Sequence, residues 1–169
     1  MIHRIPISQI HTYWSILEKA AMEALPPYVD DAEVRLFNIL LALQNGDLQG
    51  FVLGAVNKET GKPVLAASFM TEVMVDGISK TKNLGLYSMF GYQNLPLECY
   101  LEIRDYLLKY AASCGCSKLC AYSSNDAVIR FCERFGGKIE YRFITFEVPR
   151  KEVVAHVEQT EDQAVSVAV

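Results

Sequence analysis

Residues 122–137 read Tyr122-Ser123-Ser124-Asn125-Asp126-Ala127-Val128-Ile129-Arg130-Phe131-Cys132-Glu133-Arg134-Phe135-Gly136-Gly137. Asn125 is a strong N-cap type, so a helix is expected to begin just after it. Ala127, Val128, Phe131, Cys132 and Phe135 recur at helical spacing and predict one apolar stripe. Gly136-Gly137 ends that helix, because glycine takes up the left-handed conformation that closes a last turn. Lys118–Ser123 before it reads as a short buried strand, and Tyr141–Val148 after it alternates like a final strand.

Working outward, Met1–Ile7 reads as a strand and Ser8 as the N-cap of a helix. Ile10, Tyr13, Trp14, Leu17, Ala20, Ala21 and Ala24 form its stripe, and Pro26-Pro27 ends it. Asp30 and Asp31 open a second helix, with a stripe of Val34, Phe37, Leu40 and Leu41 closed by Asn45-Gly46. Leu48–Val56 and Pro63–Val75 are rich in β-formers, and the polar turn Asn57–Gly61 joins them as an antiparallel hairpin. Asp76-Gly77 marks a turn before a third strand of this group, Leu84–Tyr92. Pro96 opens a helix to about Cys114, with Tyr100, Ile103, Leu107, Tyr110 and Ala111 on one face. The order β-α-α-β-β-β-α-β-α-β predicts an α/β (mixed α+β) domain. Its central mixed, mostly antiparallel sheet has about six to seven strands, with helices on both faces.

The chain has 169 residues, enough for one domain with a sizeable core. A net charge of −4 argues against a nucleic-acid partner. No apolar run approaches the roughly 18 residues that span a bilayer, so no membrane association is expected. With no secretory apolar segment at the start, the expected location is the cytoplasm. Cys99, Cys114, Cys116, Cys120 and Cys132 are an odd set and read as reduced thiols, with no metal site expected. Residues 1–148 read as the domain and 149–169 as a tail of different composition. The tail's last segment, Ala164-Val165-Ser166-Val167-Ala168-Val169, alternates like a strand and suits addition to a partner's sheet edge.

The element order, the run Asn125–Gly137, the junction Ala112–Leu119, and Leu86-Tyr87-Ser88-Met89-Phe90-Gly91-Tyr92 followed by Pro96 together resemble GNAT-type N-acetyltransferases. The resemblance extends to divergent bacteriophage-encoded proteins of that kind. It implies acetyl-CoA as cofactor, with Tyr87, Ser88, Met89, Gly91 and Asn125 as candidate contacts. In active members the loop after the fourth strand carries a Gln/Arg-x-x-Gly-x-Gly/Ala pattern that lets backbone N–H groups hold the pyrophosphate. The matching loop here is Gly91-Tyr92-Gln93-Asn94-Leu95-Pro96-Leu97-Glu98. It has one glycine, Pro96 lacks an N–H, and Glu98 sets negative charge at the helix start.

The family's proton-donating Tyr falls at Cys132, which also suits packing. Glu72 is the candidate general base by position; an exposed surface Glu is the plainer reading. Asn125 either contacts the pantetheine arm or caps its helix. Tyr87 and Tyr122 either line the gap between the fourth and fifth strands or belong to the core. Two functions follow from the resemblance. One is a phage-encoded structural or virion-associated binding module with a degenerate acetyl-CoA site and weak or no acyl transfer. Its partner, another protein, a virion protein or a second copy, would use the tail and an aromatic surface near Tyr92. The other is an active acetyl-CoA-dependent N-acetyltransferase acting on an unidentified amine.

Overall fold

The computed structural model describes residues 1–24, 32–57, 60–123 and 125–140. Among them five strands form one sheet: β1 (Ile2–Arg4), β2 (Leu48–Val56), β3 (Pro63–Val75), β4 (Lys82–Gly91) and β5 (Lys118–Ala121), neighbours in that order. The helices are α1 (Ile10–Glu23), α2 (Ala32–Asn45), α3 (Leu97–Ser113) and α4 (Asp126–Arg134). β1 to β4 pair antiparallel, whereas β4 and β5 pair parallel. A parallel pair needs a long crossover, and α3 supplies it. The α/β class and mixed sheet are as the sequence predicts, with five strands among the described residues against the six to seven expected. The predicted last strand Tyr141–Val148, the 148/149 boundary and the tail lie outside the described residues, as do the Pro26-Pro27 and Asp30-Asp31 signals. Met1–Ile139 clusters as one unit.

Strand alternation divides the sheet into two faces, each covered by helices. Met70 on β3 joins Leu48 and Val52 on β2 and meets Leu17, Ala20 and Ala21 of α1 and Ile39 and Leu43 of α2. Phe51 and Leu53 of β2, Phe69 of β3 and Leu84 of β4 point the other way. They pack on Ile103, Leu107 and Ala111 of α3. The inward residues of α1 and α3 are those their periodicity predicts, except that Tyr100 of α3 is 38% exposed. Those of α2 are so only in part, with Leu40 packing against the core as expected. Ile39 and Leu43 are buried, while Phe37 and Leu41, expected inside, are 63% and 38% exposed.

Two other local readings also need correction. The first strand stops at Arg4, and Ile7–Gln9 forms a 3-10 turn that places Ser8 inside it. α1 is then entered from Gln9 with no side-chain cap, so Ser8 is not its N-cap.

The Gly-Gly reading holds in detail. Gly136 has φ of 91°, its N–H donates to the Glu133 carbonyl (3.2 Å), and the Gly137 N–H donates to the Cys132 carbonyl (2.8 Å). These are the two bonds of a Schellman turn. Gly136→Ala forces a Cβ into left-handed backbone and should cost about 1 kcal/mol. Urea denaturation checks this, and an unchanged midpoint would show the turn does not persist in solution.

The feature that positions the site is a bulge. Met70 pairs with Ser88 and Thr71 with Leu86, so Tyr87 is an extra residue in β4. A bulge bends its strand. β5 pairs with β4 only from Asn83 to Leu86, and β4 runs on to Gly91 paired with β3 alone. The two parallel strands thus part company at Tyr87.

Candidate active site

The open stretch of β4 has a defined polarity. The Tyr92 N–H donates to the Ala66 carbonyl (2.9 Å), so this end of the ladder bonds through Tyr92, Phe90 and Ser88. In an antiparallel pair the alternate residues face away from that partner. Met89 and Gly91 therefore turn their N–H and C=O groups to the side that β5 has left. Among the described residues no strand covers this edge. Ser88 beside them is 4% exposed, and its Oγ has no hydrogen-bond partner among the described atoms.

On the α2 side of the same strand lies a pocket of about 300 Å³, lined by Arg35, Asn38, Ile39, Ala42, Asp47, Leu48, Glu72 and Tyr87. Glu72 stands on β3 between Leu48 of β2 and Gly85 of β4. A Cβ at Gly85 would lie 3.2 Å from Glu72 Cγ, so the glycine makes room for the side chain. Burial pushes the Glu72 carboxyl above the ordinary glutamate range, because desolvation disfavours the charged form. Burial also raises the Tyr87 phenol; the Glu72 charge adds to that rise and the Arg35 charge opposes it. Glu72, Tyr87 and Arg35 thus share one electrostatic neighbourhood.

Glu72 and Tyr87, named from sequence for a cleft, meet in this pocket. Glu72 is half-buried rather than the exposed surface carboxylate of the plainer reading. Ser88, Met89 and Gly91 follow along the adjoining strand edge. Arg35, Asn38 and Asp47 were missed. Once the α2 register is known, Arg35, Asn38 and Ala42 fall at helical spacing on one face.

Asn125 and Cys132 lie elsewhere, on the α4 segment. The Asn125 carbonyl accepts the first helical bond, from the Ile129 N–H (3.0 Å), and its own N–H donates to Ser123 Oγ (3.1 Å). This is the backbone of an N-cap residue, as predicted. Cys132 is exposed rather than packed; partial burial raises its thiol, making it a reluctant acid at neutral pH. Tyr122 is also exposed, not core. Tyr92, expected on an exposed aromatic surface, is half-buried. Its hydroxyl donates to the Ile16 carbonyl of α1 (2.6 Å), and Lys19 Nζ lies 5.6 Å from its ring centre. Cys116 packs behind α3, and among the described residues no His/Cys/Asp/Glu group is placed to hold a metal ion.

The loop to α3 folds closely on itself. A Cβ on Gly91 would lie 3.3 Å from the Gln93 carbonyl oxygen and 3.5 Å from Leu95 Cδ1. The close approach that glycine allows is taken by the loop itself, and the group presented there is an acceptor. α3 begins at Leu97 behind Pro96 with no side-chain cap, and the Cys99 N–H donates to the Pro96 carbonyl (3.0 Å). Glu98 is exposed in its first turn.

No family model and no curated protein matches the sequence. Solved structures do match. A predicted acetyltransferase from Clostridium acetobutylicum, determined with acetyl-CoA, is similar over 87% of this chain and 95% of its own (TM-score 0.61, 13% identity). The ribosomal-protein-alanine N-acetyltransferase of Brucella melitensis biovar Abortus 2308 matches over 88% and 99% (TM-score 0.58, 12% identity). AAC(6′)-Iy, in complex with a bisubstrate analogue of CoA, matches over 89% and 98% (TM-score 0.59, 13% identity). The chain has the fold of the GNAT acetyltransferases. No helix among the described residues is long and apolar enough to cross a membrane.

Proposed function

We propose that the protein is an acyl-CoA-dependent N-acyltransferase that grips its cofactor by the pantetheine arm and acyl group rather than by the pyrophosphate. The observation that carries this is the parting of β4 from β5 at Tyr87. It leaves the Met89 and Gly91 backbone groups along an open edge, next to the Glu72–Tyr87 pocket. That edge fits the amides of a pantetheine arm, which can add to it as a strand does. The Gly91–Glu98 loop does not fit a diphosphate, because its glycine faces the Gln93 carbonyl and Glu98 opposes the helix dipole.

Acetyl-CoA supplies an activated acyl thioester. Glu72 takes a proton from the acceptor's ammonium group, and its raised pKa makes it the stronger base. The Met89 N–H donates to the acyl oxygen as negative charge develops there. Tyr87, at the bulge, orients the acceptor beside that edge. The amide C–N bond would form as the thioester C–S bond breaks, and the second proton lost by the acceptor nitrogen would pass through water to the thiolate. Asn125 remains a candidate contact to the arm, and Cys132 is the weaker candidate acid.

Calorimetry with acetyl-CoA and with acetyl-pantetheine, which lacks the pyrophosphate, tests this reading. The two should bind the wild type within about threefold of each other, well under one charge-assisted hydrogen bond. Glu98→Gly should tighten acetyl-CoA alone by about two- to fivefold, the worth of one charge near a helix end. No binding of either ligand at millimolar concentration would sink the proposal.

The loop also favours a second reading, a phage-encoded or virion-associated module that kept the fold and lost the chemistry. Retention of a protein partner by the full chain but not by one ending at residue 148, with no acetyl-CoA binding, would select it.

A further inference from the structure

We infer that the α2 pocket takes a small acceptor bearing a carboxylate close to its amine, the amino-acid class, with Arg35 holding the carboxylate and Glu72 the ammonium. The name acceptor rests on the acyl-transfer reading; the binding itself does not.

Three properties of the pocket point this way. The first is mixed charge. A guanidinium from α2 and two carboxylates, Asp47 and Glu72, line one small space. A monoamine or a diamine pairs with the carboxylates but offers Arg35 only repulsion. An amino carboxylate satisfies both signs at once. Both charges lie near enough to the Tyr87 phenol to act on it, Glu72 raising its pKa and Arg35 lowering it.

The second is geometry along α2. Asn38 lies one turn beyond Arg35 and lines the same space. A guanidinium fork with a neighbouring carboxamide presents several N–H donors to a planar carboxylate. Arg35 carries five N–H donors, so a partner on the protein leaves others for a ligand.

The third is size. About 300 Å³ equals roughly ten water volumes. That holds an amino acid with a short apolar side chain against Ile39, Ala42 and Leu48. The terminal residue of a longer chain would not place its carboxylate beside its amine, so a free amino acid is favoured over a peptide.

The test uses the full chain without CoA, titrated with L-alanine, L-alaninamide and 1,3-diaminopropane at pH 7 and followed by NMR at Tyr87 and the α2 amides. L-alanine should bind at least about tenfold more tightly than L-alaninamide, the loss expected for one charge-assisted carboxylate contact. The diamine should be weakest. Arg35→Gln should bring the alanine-to-alaninamide ratio to about one, and Arg35→Lys should keep part of it because the charge survives without the fork. Equal or tighter binding of alaninamide, an unchanged ratio in Arg35→Gln, or no shift at these residues with any probe would overturn the inference. If Arg35→Gln does not fold, the wild-type ratio and Arg35→Lys still decide. Failure of acetyl-CoA binding with the alanine preference intact would sink the acyl-transfer reading alone.

Discussion

Glu72→Gln should lower the acyl-transfer rate about 10²- to 10⁴-fold, the usual contribution of a positioned general base, and should raise the melting temperature at neutral pH. Both effects have one cause. Glu72 is half-buried over Gly85, and desolvation raises its pKa above the value in the unfolded chain. A group whose folded pKa is raised contributes its stability fully below the unfolded pKa and loses it as pH rises through the folded pKa. At neutral pH the wild type therefore carries an ionised carboxylate less well solvated than in the unfolded state, and glutamine removes that penalty. The stability gain of the variant should grow from acid to neutral pH. The wild-type kcat/KM should fall toward acid with a limb above the ordinary glutamate range, and the variant should lack that limb. A variant keeping a third or more of the wild-type rate would remove Glu72 from the chemistry. A lower melting temperature at every pH would show that the carboxylate is held by contacts rather than penalised by burial.

What the sequence showed depended on whether the signal was local. Asn125 and Gly136 bracket α4 by local signals that need no distant partner: the Asn125 carbonyl accepts the first helical bond, and Gly136 closes the last turn. The β2–β3 hairpin was legible from strand composition and the Asn57–Gly61 turn, where the Thr60 N–H donates to Asn57 Oδ1 (3.0 Å). The α2 register was not legible. Ile39-Leu40-Leu41-Ala42-Leu43 is apolar on every side, so periodicity cannot choose a face. The expected stripe sent Phe37 and Leu41 inward and left Arg35 and Asn38 unread. The bulge at Tyr87 leaves no mark in Leu84–Tyr92, because it is a property of the pairing with β3. Glu72 could be named by position alone. Its half-burial depends on Gly85 lying opposite, which is known only once the register is set.

Phe51→Ala should destabilise the protein by about 3–5 kcal/mol, near the top of the range for one core truncation, whereas Phe37→Ala should change stability by no more than about 0.5 kcal/mol. Phe51 is fully buried and stacks on its cross-strand partner Phe69, with ring centres 5.1 Å apart and planes 8° apart. Tyr106 and Tyr110 of α3 meet it edge-on at 5.8 and 5.3 Å. Truncation removes both the stacked and the edge contacts and leaves a cavity in a close-packed core. Against a typical stability of about 5–15 kcal/mol this loss is large, and urea midpoints of the two variants measure it directly. A large effect at Phe37 with a small one at Phe51 would return α2 to the face its sequence first suggested and take Arg35 out of the pocket. The expected order supports the site as well as the core. The same Phe51 cluster anchors α3, the helix that carries the chain from the open edge of β4 across to β5, so acetyl-pantetheine affinity should fall in Phe51→Ala even at temperatures where the variant remains folded.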